Sequence, residues 1–397
     1  MPTPEDVLIA RAYLSRVAEP DNVAVWVLVA EVGPVEAADR IRAGAAGEDV
    51  TRATEARAHT ADPVADLEAA ERCGIRLVTP ESPDWPGSAV AGLERTGARL
   101  LAGVRRGAGA AGTTAAEPLP PLALWVRGSM RLGELGGRSV AIVGSRAATE
   151  YGLHVALEFG YGLAERGVTI VSGGAYGIDA AAHRGALAAA GATVAVSAGG
   201  LDRPYPAGNA RLFDRIAETG VLISESPPGA SPHRGRFLTR NRLIAAFARG
   251  TVVVEAARRS GAANTARHTR RLGNAVMAVP GPITSTMSAG CHDLLRQDVD
   301  PAILVDSVEA VLGIVGVVGE GLGTSPTTVD DVRAVLDGFD PVVRCVFDGV
   351  PARFAGSAED IAVRSGNRVG DVLRALPLLV AAGLVEESEL GRFRVAA

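Results

Sequence analysis

Ser139-Val140-Ala141-Ile142-Val143-Gly144-Ser145-Arg146-Ala147-Ala148-Thr149 passes from five uncharged residues into a turn of small and polar groups. A continuous apolar run this short, closed by glycine, reads as a strand covered on both faces. The segment that follows, 151–166, has the length of a helix and ends at Gly167. The alternation then repeats. Strands are predicted at 168–171, 193–196, 221–223, 251–254 and 275–279, with helices at 178–190 and 210–218 and a helix core at 243–248. Short buried strands alternating with helices predict an α/β fold with a Rossmann-like parallel sheet over residues 122–315.

Outward from this core the patterning changes. Residues 4–100 are rich in alanine and read as short helices, with Val7, Ala10, Leu14 and Val17 at helical spacing. Val32-Gly33-Pro34-Val35 is a turn before a helix at 36–43, as in a small N-terminal helical domain of SAM/helix-hairpin-helix-like type. Residues 105–121 and 316–326 are poor in bulky apolar side chains and read as linkers. Residues 327–397 read as helix, turn, helix and closing hairpin, the order of a winged-helix domain. Pro377 falls inside its second main helix, where it is expected to kink or shorten that helix.

Among the 397 residues all 40 basic side chains are arginine, a bias that codon usage accounts for. A Walker-type lysine and a Schiff-base lysine are therefore excluded. The net charge of −5 does not announce a polyanion partner. No apolar run approaches the length of a membrane span, so no membrane association is expected. The acidic start, Met1 to Asp6, predicts no signal peptide. Cys73, Cys291 and Cys345 are far apart and form no metal or redox motif, which fits the cytoplasm and no metal or other cofactor.

In a parallel sheet, ligands sit at the carboxyl ends of the strands. Gly144-Ser145-Arg146 follows the first strand and Ser172-Gly173-Gly174 the second. Glycines admit a close ligand, free N–H groups at a helix start favour an anion, and Arg146 adds a planar cation. Together they predict a phosphate-binding rim. Neither turn is a GxGxxG loop, which disfavours a dinucleotide oxidoreductase. Residues 233–271 hold ten arginines against one acid, Glu255, a local balance of +9 that reads as the footprint of a polyanion. Arg240-Asn241-Arg242 is placed at a helix start, with both arginines on phosphate and Asn241 on a sugar or base edge. Phe237 could stack on a base. Asp179 and His183 are four apart on one helix and can touch; a structural hydrogen bond tying the helix to the glycine-rich loop is expected rather than catalysis. Glu225 is read as a base or as a salt-bridge partner for the basic stretch.

The order and spacing of these segments resemble the DNA-processing protein A family, also called DprA or Smf. The matching residues include Gly144-Ser145-Arg146, Ser172-Gly173, Gly177-Ile178-Asp179, Ala182-His183, Gly199-Gly200-Leu201-Asp202, Tyr205-Pro206, Ser224-Glu225, Arg240-Asn241-Arg242, Ser260-Gly261 and Pro280-Gly281. The resemblance implies a non-enzymatic protein that binds single-stranded DNA in a basic pocket. It also implies a homodimer formed through this domain and loading of the recombinase RecA during natural transformation (competence) or recombination. It places Gly144, Ser145 and Arg146 on phosphate, with Arg240, Asn241 and Arg242 lining the pocket. Asn209 and Arg211 would lie nearby, and Ser172, Gly173, Gly174, Ser260 and Gly261 complete the nucleic-acid site. Asp179, His183 and Glu225 are assigned to a structural pocket. Tyr176, Leu238-Thr239 and Arg249 depart from the usual family residues. The alternative is a nucleotide-processing enzyme of the phosphoribohydrolase kind, but residues 258–265 lack the glycine-rich loop and glutamate such enzymes need.

Overall fold

The computed structural model describes residues 2–106, 117–135, 137–258, 260–316, 336, 339–351, 355–382, 384–387 and 391–395. The chain divides into two compact units, Met1–Gly316 and Val317–Ala397.

The first unit begins with five helices: α1 (Pro4–Val17), α2 (Val23–Val32), α3 (Pro34–Arg42), α4 (Glu48–Ala58) and α5 (Pro63–Arg72). Their sequence punctuates them. Thr3 accepts from the Asp6 N–H, and the Asp6 carboxylate accepts from the Thr3 N–H, closing a capping box. Pro34 and Pro63 stand in first turns, where a missing N–H costs nothing. Tyr13, Leu14, Val17, Val25, Leu28 and Ile41 form the core of this layer.

Strand β1 (Ile75–Val78) and helix α6 (Gly87–Arg105) follow. Thus the stretch 4–100, read as helical, also contributes a strand. The remaining elements are β2 (Leu124–Gly128), β3 (Ser139–Val143), α7 (Glu150–Glu165), β4 (Thr169–Ser172), α8 (Ile178–Ala188), β5 (Thr193–Val196), α9 (Ala210–Thr219), β6 (Val221–Ser224), α10 (Arg234–Ala246), β7 (Gly250–Val253), α11 (Gly261–Arg271), β8 (Ala275–Ala278), α12 (Ala289–Leu295), β9 (Ile303–Leu304) and α13 (Val308–Val315).

Strands β1 to β9 join one sheet in the order β1-β2-β6-β5-β4-β3-β7-β8-β9. From β6 to β9 every neighbouring pair is parallel; β2 is antiparallel to both β1 and β6. From β3 the chain steps outward through β4, β5 and β6, then returns to lay β7 on the other side of β3. The crevice of the fold therefore opens at the carboxyl ends of β3 and β7. One face of the sheet packs Leu93, Leu243, Phe247 and Leu294. The other packs Phe159, Leu163, Val308 and Leu312. Burying each such side chain contributes about 1.5–3 kcal/mol. Cys291 is buried, with its thiol pushed up to about 12 by burial, whereas Cys73 and Cys345 are exposed.

Two expectations change. Helix α10 begins at Arg234, so Arg240, Asn241 and Arg242 lie from its middle onward and are not aided by the helix N-terminus. The Pro377 helix is not shortened: in the second unit α14 (Pro341–Gly349) and α15 (Ala358–Ser365) precede α16 (Val369–Ala381), which runs through Pro377. Strands β10 (Val385–Glu387) and β11 (Phe393–Val395) close that unit as an antiparallel pair. Of the two linkers, residues 107–116 and 317–326 lie outside the described residues.

Candidate nucleic-acid interface

The turn after β3 is held from three sides. A Cβ on Gly144 would stand 2.6 Å from Ile178 Cγ1 and 2.7 Å from the Glu255 carbonyl oxygen, so only glycine fits. The Ser145 N–H donates to that same Glu255 carbonyl at 2.6 Å. The buried Glu255 carboxylate accepts from the Thr149 N–H and hydroxyl at 2.9 and 2.7 Å, fixing the start of α7. Gly177, at φ 76°, brings the second turn against the Ser145 carbonyl, which accepts from the Ile178 N–H at 3.2 Å. Arg146 is left exposed at the rim.

The opposite wall comes from α10 and α11. Ser260 caps α11, accepting from the Ala263 N–H at 3.4 Å. Asn241 Nδ2 donates to the Gly261 carbonyl at 3.3 Å and to Asn264 Oδ1 at 3.1 Å. The start of α11 thus faces the Gly144-Ser145-Arg146 turn across a cleft of about 940 Å³. The Arg146 guanidinium lies 4.8 Å from the centre of the Phe237 ring, and Tyr205 meets Phe237 at 5.6 Å. A cation over a ring that is itself open to the cleft is suited to hold a phosphate while the ring takes a planar base.

Arg240 forms the floor. Its guanidinium donates to the carbonyls of Gly173, at 2.8 Å, and Val196. Burial, opposed by Asp179 and helped by Arg146, lowers its pKa to about 10. Burial raises the Asp179 carboxyl, and Arg240 counters the rise. Their charges oppose each other's burial beneath the rim, and Arg146 is an open charge above them.

The predicted residues therefore separate. Gly144, Ser145, Arg146, Asp179, Arg240, Asn241, Ser260 and Gly261 line the cleft. Gly173 lies beneath it, and Ser172 is fully buried, its hydroxyl donating to the Ile142 carbonyl at 2.6 Å. Gly174 packs against Phe213, and Asn209 is buried, donating to the Gly174 carbonyl at 2.9 Å; both support the turn from behind. Arg211 is exposed and does not line the cleft. Arg242 points the other way: it is fully buried and pairs with Glu225 at 2.7 Å and Asp21 at 3.2 Å. Glu225 is thereby a structural partner of Arg242. Burial works against the Arg242 charge, but Glu225 and Asp21 outweigh it and raise its pKa.

The structural tie expected between this helix and the glycine-rich loop is made by Asp179, whose Oδ2 accepts from the Ala175 N–H at 3.4 Å; His183 turns to Thr193 instead of Asp179. The Thr193 hydroxyl gives its proton to the Ile170 carbonyl, so His183 donates to it from Nδ1 at 2.7 Å. Burial, helped by Arg240, lowers His183 to about 3 and keeps the imidazole neutral.

The +9 stretch is not one patch. Arg234, Arg258 and Arg267 reach the cleft. Arg236, Arg242 and Arg270 are paired with Glu19, Asp21 or Glu225, and Asp300. Arg249 is away from the cleft, and Arg259 lies outside the described residues. Sequence reading passed over Asn264 and Met287, which also line it. For Asn264 a signal existed: residues 261, 264 and 267 share one helical face.

A parallel α/β protein with an anion-receptive, aromatic-lined cleft at its topological switch is the class defined by this geometry. The profile of the family described as DNA recombination-mediator protein A matches residues 113–316. The putative DNA processing protein DprA of Mycobacterium tuberculosis (strain ATCC 25618 / H37Rv) is 49% identical over 388 residues, 97% of this chain and 94% of that protein. The chain belongs to the DNA recombination-mediator protein A family. The crystal structure of DNA processing protein A from Streptococcus pneumoniae superposes with a TM-score of 0.59 at 29% identity, covering 78% of this chain and 97% of that one. The Helicobacter pylori DNA processing protein A, described for its single-stranded DNA binding mode, covers 49% of this chain and 86% of its own, at 30% identity and a TM-score of 0.45.

Proposed function

We propose that the cleft binds single-stranded DNA and that the chain acts as a recombination mediator. It places RecA on that strand during natural transformation or recombination. The observation that carries the reading is Arg146, exposed and stacked on Phe237, opposite the N–H groups that open α11. Backbone phosphate meets Gly144, Ser145, Arg146, Ser260 and Gly261, bases stack on Phe237, and Asn264, positioned by the buried Asn241, reads sugar or base edges. Family membership supports the same role. A homodimer through the parallel-sheet domain and a cytoplasmic site of action accompany it. The second unit is a winged-helix domain in this reading, supported by its helices followed by a hairpin. A role without catalysis is supported by His183, neutral and turned onto Thr193, and by Asp179, which accepts from the Ala175 N–H in the glycine-rich turn.

The test is fluorescence anisotropy with labelled oligo-dT and a matched duplex across a salt series. The single strand binds more tightly, and affinity falls steeply with salt because phosphate contacts release counterions. Arg146→Ala weakens binding about tenfold, the size of one charge-assisted contact, and flattens the slope. Failure of the wild-type chain to bind oligo-dT at low salt overturns the reading.

A further inference from the structure

We infer that Glu19, in the N-terminal helical layer, is a positioning residue for the cleft: it fastens the wall at residues 228–237 and so sets Phe237 and Arg234 for a bound strand. The inference rests on the single-stranded DNA reading proposed above.

Glu19 lies two residues beyond the end of α1 and does not line the cleft. Both of its oxygens are engaged. Arg236 grips it through two bonds, Nε to Oε2 at 2.8 Å and Nη2 to Oε1 at 2.9 Å. Arg57 of α4 donates to Oε1 at 2.9 Å, and His233 Nε2 lies 3.5 Å from Oε2. A paired fork of this kind fixes direction as well as distance. The Arg236 side chain is only 11% exposed, and its remaining nitrogen holds the Ser231 carbonyl at 3.0 Å. Three residues before Glu19, Arg16 donates to the Pro228 carbonyl at 2.7 Å while paired with Asp66. The N-terminal layer therefore grasps the wall near both of its ends.

The wall needs this help. His233 supplies no side-chain cap to α10, so local sequence does not secure the start of that helix. Arg234 and Phe237 are in its first turn, and Phe237 carries Arg146 and Tyr205. Burial works to raise the Glu19 pKa, but Arg236 and Arg57 outweigh it and hold it at about 2, so the clamp is charged at neutral pH.

Charge and position predict opposite outcomes for Glu19→Gln. Removing an acid beside a polyanion site tightens binding if only the field matters. A loosened wall weakens it, since ordering side chains on binding then falls to the ligand, at about three- to tenfold in affinity. We expect weaker oligo-dT binding with the wild-type salt slope retained, because no phosphate contact is lost. Amide hydrogen exchange speeds up at residues 229–238 and not in β3 or β4. Arg236→Lys, which keeps the charge and loses the fork, shifts both readouts in the same direction and by less, and decides the matter if Glu19→Gln does not fold. Unchanged or tighter binding, or a flattened slope, overturns the inference. If the wild-type chain does not bind oligo-dT, the DNA reading fails on its own. The exchange comparison then judges the clamp alone: local acceleration upholds it, and unchanged exchange overturns it.

Discussion

Arginine meets opposite fates on the two sides of α10. At the cleft mouth Arg146, Arg234 and Arg267 are exposed and form no ion pair with a described carboxylate. On the side toward the N-terminal helices, Arg236 and Arg242 are enclosed and matched to Glu19, and to Glu225 and Asp21. Residue type is the same throughout; the acidic neighbours that meet Arg236 and Arg242 separate charge used within the fold from the charge left open at Arg146, Arg234 and Arg267. A count of arginines along the chain cannot tell the two apart.

The sharpest way to separate the sides is Arg242→Met. It strands Glu225 and Asp21 without their cation, and loss of one partner of a buried pair costs about 3–5 kcal/mol. Urea unfolding should show that loss, while the salt slope of oligo-dT binding by the folded fraction stays at the wild-type value. A slope change would break the comparison by placing Arg242 among the phosphate contacts. Next in size is acid sensitivity beneath the floor. His183 titrates near 6.5 when unfolded and about 3 when folded. The unfolded chain therefore binds the extra proton between those values, and stability falls as pH drops through that window. The slope is about 1 kcal/mol per pH unit from this group. His183→Gln should remove that share of the slope in urea midpoints taken from pH 7 to pH 5. The smallest effect is expected at Arg211→Ala: a change in stability of less than about 0.5 kcal/mol and oligo-dT affinity close to wild type. A tenfold loss there would extend the interface beyond the cleft.

Much of the sheet was legible because β3, β7 and β8 are covered on both faces and so read as unbroken apolar runs. Strand β1 escaped because Ile75-Arg76-Leu77-Val78 is short, carries a charge and pairs antiparallel at the sheet edge. The glycine turns were legible from chemistry that a Cβ would forbid. The two faces of α10 were only half read. Arg240 and Arg242 are two apart, a spacing that turns side chains to different sides of a helix, so they could not share one phosphate. What sequence could not reveal was which face meets Asp21 and Glu225, since those partners lie 221 and 17 residues away.

The thiols give the chain a ready-made ruler. With no lysine, amine chemistry is confined to the N-terminus, and maleimide dyes will find Cys73 and Cys345 while the buried Cys291 stays protonated and shielded. One of these addresses stands in each compact unit. A donor and an acceptor attached to the unaltered protein would thus report, by energy transfer, any change in their separation as an oligonucleotide is added.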